Sequence, residues 1–169
     1  MLEWAEEELS QRHIVNSFDS GNDEIDLYLK SFALRNHRRN VSKTYVACLP
    51  SQPRVVVGYY TLTPTDLAAE ALPDHLKQGL PRYAVPAYRL ARLGVTSTCQ
   101  GQGLGQDLVY QAGRRALDVA EQVGGILLIV DAMSDELVGW YRHYFGMESL
   151  HDVPRTLVVN LRKFARADR

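Results

Sequence analysis

The sequence predicts an α/β fold, a mixed central sheet with flanking helices, and three observations carry that expectation. Two runs rich in β-branched and aromatic residues, 44–49 and 54–63, flank Pro50-Ser51-Gln52-Pro53 and read as a hairpin. A strand-like run over 88–97 passes through a glycine-rich stretch into a long amphipathic helix. That helix leads to Ile126-Leu127-Leu128-Ile129-Val130, apolar at every position and of strand length, as expected for a strand covered on both faces. Strand–helix–strand order of this kind implies a right-handed parallel crossover.

The remaining elements follow in order. Residues 11–17 can form a first strand. Asp19-Ser20-Gly21-Asn22 is a turn with helix-capping side chains. After it, Ile25, Tyr28, Leu29 and Phe32 fall at i, i+3, i+4 and i+7, on one helical face. The proline-rich segment 64–86 holds a short helix around 71–78 on the way to the strand over 88–97. From Gly103 onward Leu104, Leu108, Val109, Ala112, Ala116, Val119, Ala120 and Val123 keep helical periodicity, and Gly124-Gly125 stops the helix. A further helix over 135–144 and short strands over 147–150 and 156–161 complete the chain. Without repeats, low-complexity tracts or linkers, residues 1–169 read as one domain.

Composition narrows the setting. A net charge of −1 exerts no global pull on nucleic acid or anionic membrane, so such a partner needs a local basic patch. Cys48 and Cys99 lie far apart, outside any Cys-x-x-Cys pair, which fits a reduced, cytoplasmic protein. No apolar run approaches a membrane span, the N-terminus is acidic rather than signal-like, and the five histidines lack ligand spacing, so neither membrane nor metal is expected.

The chemistry concentrates in Val95-Thr96-Ser97-Thr98-Cys99-Gln100-Gly101-Gln102-Gly103-Leu104-Gly105-Gln106. Alternate glycines let backbone approach a ligand and turn amide N–H groups toward one point, and the following helix adds the positive end of its dipole. The stretch lacks the Lys-Ser/Thr of a P-loop and the order of a dinucleotide fingerprint. A ligand-free strand-to-helix turn would use the same glycines.

Gln100, Gly103 and Gly105, as Gln-x-x-Gly-x-Gly, resemble the acyl-CoA pyrophosphate loop of the GNAT acetyltransferase superfamily, and the element order is similar over almost the whole chain. Trp140-Tyr141-Arg142-His143-Tyr144-Phe145-Gly146-Met147 resembles the superfamily's Phe-Tyr-x-x-x-Gly-Phe segment, with Met147 in place of its last Phe. Phe18-Asp19-Ser20-Gly21-Asn22, Leu27-Tyr28-Leu29, Gly58-Tyr59-Tyr60-Thr61-Leu62 and Leu90-Ala91-Arg92-Leu93-Gly94-Val95 run in the order of GNAT-type toxins. Such toxins pair with ribbon-helix-helix antitoxins and acetylate the amino acid carried on tRNA. In that group Cys or Ser stands before the glycine, as Ser20 does here before Gly21, and Ala is commoner than Gly at position 94, where this chain has Gly94.

The resemblance implies a GNAT fold with splayed parallel strands, acetyl-CoA as co-substrate, and a homodimer. It puts the pantetheine arm against the main chain of Leu93, Gly94 and Val95, and the pyrophosphate on Gln100, Gly101, Gln102, Gly103, Leu104, Gly105 and Gln106. It also implies that Tyr141 is the catalytic acid, donating to the leaving thiolate. A phenol, of pKa about 10, is protonated at neutral pH and suited to that role. Tyr144, about one turn away, is the alternative donor.

The expected acceptor follows from a missing group. The strand over 88–97 carries no carboxylate to act as base, leaving Asp131 or Glu148 as distant candidates. A lysine amine (pKa about 10.4) is almost wholly protonated at neutral pH, whereas an α-amine (about 7.7–8.0, lower once esterified) is partly free. An aminoacyl-tRNA suits such a site. Its phosphates would meet Arg35, Arg38, Arg39 and Arg92, with Lys43 beside the first cluster, Arg89 on the same strand as Arg92, and Arg155 before the last strand. The first cluster is equally a solvated helix end, and Arg92 equally an ion-pair partner of Asp131 or Asp107. Two rival readings stand beside the toxin: a GNAT enzyme for a small-molecule or protein amine, and a silent acyl-CoA-binding module.

Overall fold

A computed structural model describes residues 1–166 of the chain. The elements run β1 (Ala5–Glu8), α1 (Asp23–Ser31), α2 (Ala33–Arg38), β2 (Lys43–Leu49), β3 (Gln52–Leu67), α3 (Asp74–Lys77), β4 (Val85–Val95), α4 (Leu104–Val123), β5 (Leu127–Asp131), α5 (Asp135–Phe145), β6 (Glu148–Ser149) and β7 (Thr156–Asn160). Hydrogen-bonded neighbours follow the order β1-β2-β3-β4-β5-β7-β6. The β4–β5 pair is parallel, as the strand–helix–strand order predicts. The pairs β1–β2, β2–β3, β5–β7 and β6–β7 are antiparallel. The parallel register runs from Ala87↔Leu127 to Leu90↔Val130, and β4 continues five residues past that last pair, to Val95.

The described chain divides into two compact units. The first comprises Met1–Thr63 and Ala91–Ala112. Asn22 caps α1 by accepting from the backbone N–H of Glu24 and Ile25, which turns Ile25 and Leu29 into a core with Phe18, Val46 and Tyr59. Burying each such side chain contributes about 1.5–3 kcal/mol. Phe18 meets Tyr59 edge-on at 5.6 Å, and the Tyr59 hydroxyl donates to the Ile25 carbonyl at 2.7 Å. The second unit comprises Pro64–Leu90 and the chain from Gly113 onward. There Val85, Ala87, Leu127, Ile129 and Val158 form the core, with Leu72 packed among them.

Three sequence expectations need correction. Residues 11–17 do not form the first strand; only Ile14 makes an isolated bridge, to Val55. The first strand is the acidic β1, paired along β2. It lacks an apolar alternation because its carboxylates are satisfied one by one. Tyr60 donates to Glu6, Arg12 and His13 face Glu7, and His37 faces Glu8. The predicted strand over 88–97 begins at Val85 and gives way after Val95 to a 3-10 turn, Ser97–Cys99. Finally, α1 stops at Ser31, so Phe32 sits outside the helix and 44% exposed rather than in the core stripe.

The two histidines beside β1 titrate with folding. The Ser10 N–H donates to His13 Nδ1 (3.0 Å) and the Thr44 N–H to His37 Nδ1 (2.9 Å). Each ring therefore carries its proton on Nε2, which lies 3.3 Å from Glu7 in His13 and 3.2 Å from Glu8 in His37. Burial, reinforced by Arg12 at His13 and Lys43 at His37, holds both imidazoles below their ordinary value. A depressed histidine pKa means that the unfolded chain takes the proton first. The associated stability is thus complete above about pH 6.5 and is lost as pH falls through that value toward the folded one. The urea midpoint is expected to drop between about pH 7.5 and about pH 5, less so in His37→Asn, which keeps an acceptor for Thr44 but does not titrate. A midpoint rising on acidification would contradict this sign.

Candidate active site

Beyond Val95 the backbone has no regular partner, and its path is set by bonds to two other segments of the first unit. The Thr96 N–H donates to the Val57 carbonyl on β3 at 2.8 Å, and the Ser97 N–H to the Asp19 carbonyl at 2.7 Å. Asp19 N–H returns a bond to Thr96 Oγ1 at 3.1 Å. The Gln100 carboxamide donates to the carbonyls of Val95 (2.8 Å) and Ser20 (2.9 Å). Gln100 thus braces the loop with its side chain, a role its place in the motif does not reveal.

The braced loop presents glycines. Gly101 and Gly103 have φ of +77° and +85°, the left-handed region, and a Cβ at either would meet nothing within 4 Å. Their freedom is therefore needed for backbone shape, with open space where side chains would stand. The Asp107 N–H bonds the Gly103 carbonyl at 3.1 Å, so α4 starts directly from the loop. Asp107 itself accepts from the Trp4 indole N–H. Successive N–H groups in such a turn, ending on a 20-residue helix, form a concavity suited to a phosphate or pyrophosphate.

Leu93 and Val95 are half-buried, and Gly94 is buried for a different reason. A Cβ at Gly94 would lie 2.5 Å from Ile25 Cγ2, with Phe18 and Tyr59 close behind. The glycine is thus a packing requirement of this core, which explains the departure from alanine.

Arg92 does not pair with Asp131 or Asp107. Its Nη2 lies 3.9 Å from Glu24, its Nη1 donates to the Ala91 carbonyl, and its guanidinium covers the Tyr28 ring at 4.7 Å. Its Nε is buried without a hydrogen-bond partner among the described residues. Arg35 and Arg38 lie on α2 and Arg39 at its C-cap; Arg35 sits over Phe32, and Arg38 donates to Gln11.

In the second unit, Ser134 caps α5 by accepting from the Leu137 N–H, and Gly146 ends it at φ +63°. Val138, Tyr141 and Phe145 form its buried face. Tyr141 is 4% exposed, its ring edge-on to Trp140 at 4.9 Å, whereas Tyr144 is 48% exposed. No hydrogen-bond partner holds the Tyr141 hydroxyl among the described residues, and burial pushes its pKa up, so it keeps its proton throughout the working pH range. One departure escaped the sequence reading. Four residues separate Tyr141 from Gly146, one more than in Phe-Tyr-x-x-x-Gly-Phe. The position matching the motif's spacing is Arg142, which is exposed and donates to Ser149 Oγ at 2.7 Å. One residue rotates a side chain by about 100° around a helix. Burial thus singles out Tyr141 as the enclosed phenol.

Both candidate distant bases are engaged. Asp131 accepts from Arg89 and from Thr156 Oγ1, and Glu148 lies 2.7 Å from His75 Nε2. Among the described residues no cluster of His, Cys, Asp and Glu could hold a metal ion, and no helix is long and apolar enough to cross a membrane.

No protein-family model matches the chain. It is 35% identical, over 159 residues covering 94% of this chain and 92% of the relative, to a tRNA-acetylating toxin of Mycobacterium tuberculosis (strain ATCC 25618 / H37Rv). Among solved structures it resembles AtaT complexed with acetyl-methionyl-tRNAfMet (TM-score 0.88, 26% identity, covering 95% of this chain and 96% of that one). It also resembles AtaTR bound with acetyl-CoA (TM-score 0.82, 28% identity, 95% of each chain).

The brace carries a measurable consequence. Gln100→Ala removes two side-chain hydrogen bonds, each worth about 1 kcal/mol, while leaving every loop amide in the sequence. Thermal unfolding is expected several degrees lower and coenzyme A binding roughly five- to thirtyfold weaker by calorimetry. Unchanged affinity would mean that the loop holds its shape without Gln100.

Proposed function

The chain belongs to the family of GNAT-type tRNA-acetylating toxins, and from that membership we propose how its residues divide the work. The protein is an acetyl-CoA-dependent N-acetyltransferase, and its acceptor is the α-amine of aminoacyl-tRNA. The observation that carries this reading is the braced loop with open glycine faces at Gly101 and Gly103.

The backbone amides of Gly101, Gln102, Gly103, Leu104, Gly105 and Gln106 hold the pyrophosphate, with Gln100 fixing their direction. The main chain of Leu93 and Val95 bonds the amides of the pantetheine arm like an added strand, and Gly94 lets that stretch pack on Ile25. Acetyl-CoA supplies the acetyl group as an activated thioester. Tyr141 donates its hydroxyl proton to the departing thiolate; its burial and unbonded hydroxyl support that role. With Asp131 and Glu148 occupied by Arg89 and His75, the site favours an amine already partly neutral, which an esterified amino acid provides. Arg35, Arg38, Arg39 and Arg92 contact RNA phosphates. A point mutant of the toxin AtaT has been solved bound to the C-terminus of the antitoxin AtaR. For this chain the partner is an antitoxin of ribbon-helix-helix type, and the toxin acts as a cytoplasmic homodimer.

Radiolabelled acetyl-CoA offered with total charged tRNA, uncharged tRNA and lysine-rich peptides tests the acceptor. Label on charged tRNA, released by mild base as an N-acetyl amino acid, is expected. Label confined to peptides would overturn the acceptor and favour the protein-amine enzyme. Tyr141→Phe is expected to lower the transfer rate by about 10²–10⁴ while acetyl-CoA affinity stays unchanged, and Tyr144→Phe to remain near wild type. The opposite ranking would move the acid to Tyr144.

A further inference from the structure

The helix break at Phe32 assembles a surface feature that acetyl-CoA binding does not use. Tyr28 and Phe32 stack at 6.4 Å with their planes 24° apart. The Arg92 guanidinium carbon lies 4.7 Å from the Tyr28 ring centroid and that of Arg35 6.0 Å from the Phe32 centroid. The result is a cluster of four planar groups, two aromatic and two guanidinium, within the first unit. Tyr28 is held in place, because its hydroxyl lies 3.1 Å from Ser42 Oγ and accepts from Asn36 Nδ2 at 3.3 Å. Phe32 leaves α1 with φ −125° and stays 44% exposed, so part of its ring faces solvent. An exposed phenylalanine clamped by arginine costs solvation and contributes little to the core. Glu24, 3.9 Å from Arg92, is its acidic neighbour, while Arg38 and Arg39 extend the positive side along α2.

We infer that the cluster of Tyr28, Phe32, Arg35 and Arg92, with the exposed Phe32 ring as its outer member, is a stacking platform for the unpaired nucleobases at the 3′ end of the tRNA acceptor strand. The inference rests on aminoacyl-tRNA being the substrate and names the part of it that this face takes. Single-stranded RNA is gripped by aromatic and guanidinium planes that accept any base face, with cations for the intervening phosphates. Both components are present here, side by side. A platform of this kind recognises an unpaired end rather than a sequence, so it separates an acceptor terminus from a continuous duplex.

The test uses the full chain, without acetyl-CoA, and two unacylated RNA hairpins with the same stem. One carries a short unpaired 3′ overhang holding a fluorescent adenine analogue, and the other is blunt. Wild type is expected to bind the overhung hairpin more tightly and to quench the analogue. Phe32→Ala is expected to abolish the quench and to weaken overhang binding roughly tenfold, leaving blunt-hairpin affinity unaltered. Phe32→Tyr keeps the ring and should restore both readouts. Arg35→Lys keeps the charge and loses the plane, so the quench falls while the salt dependence of binding holds. Thermal midpoints separate these effects from misfolding. Equal wild-type affinity for the two hairpins, or an undiminished quench in Phe32→Ala, would overturn the platform. Because neither hairpin is charged and no acetyl group is present, that failure is distinct from a failure to acetylate charged tRNA.

Discussion

Everything proposed for this chain depends on one constraint: the loop between Val95 and Leu104 must be held open by bonds from Thr96 to Gln100, leaving the amides from Gly101 onward to a ligand. A glycine-rich loop left to itself samples many conformations, and ordering it on binding would consume much of the ligand's interaction energy. Here the ordering is done during folding. Val57 on one side and Asp19 and Ser20 on the other accept bonds from Thr96, Ser97 and Gln100, which leaves the stretch around Gly101 and Gly103 free to face a ligand. The Asp19–Asn22 turn is therefore more than a helix start. It caps α1 at one end and clamps the glycine-rich loop at the other, which gives a physical reason for the two occurring together in one sequence pattern.

Charge completes the division of labour. Arg89 and His75 take up the carboxylates that could have served as distant bases, and burial keeps the Tyr141 phenol protonated. In the proposed mechanism Tyr141 is the acid and neither Asp131 nor Glu148 is left unengaged as a base, which places the demand for a neutral nucleophile on the substrate. An α-amine esterified to tRNA meets that demand, and a lysine side chain does not. The arginines near α2 are split between structural and exposed roles. Arg92 is committed to Tyr28 and Glu24, and Arg35 to Phe32, so their charges arrive as oriented planes rather than as mobile points.

Much of this was legible in the sequence, wherever a feature is decided over a few residues. The Asn22 cap, the hairpin turn, the glycine stop after α4 and the apolar β5 all depend on local stereochemistry or periodicity, and all form. The turn narrows to Pro50-Ser51 because β3 begins at Gln52, and β5 runs Leu127–Asp131, one residue later than expected. What escaped depends on distant partners. The acidic β1 has no apolar alternation, and its carboxylates are met by Tyr60, Arg12, His13 and His37. The sequence suggested Asp131 or Asp107 as partner for Arg92, and no rule of spacing points to Glu24. Phe32 matched the helical stripe by period, yet α1 ends one residue before it. The extra residue between Tyr141 and Gly146 was readable as a number, but only α5's buried face says which side chain turns inward.

The most direct measurement is a nuclear magnetic resonance titration of backbone amides with coenzyme A, free of any acceptor. The amides from Gly101 to Gln106 are expected to shift together and saturate at one affinity, with Gly113 farther along α4 as a quiet reference. Shifts that spare Gly101 and Gly103, or binding that leaves the whole loop unmoved, would contradict the braced amide cradle on which the rest depends.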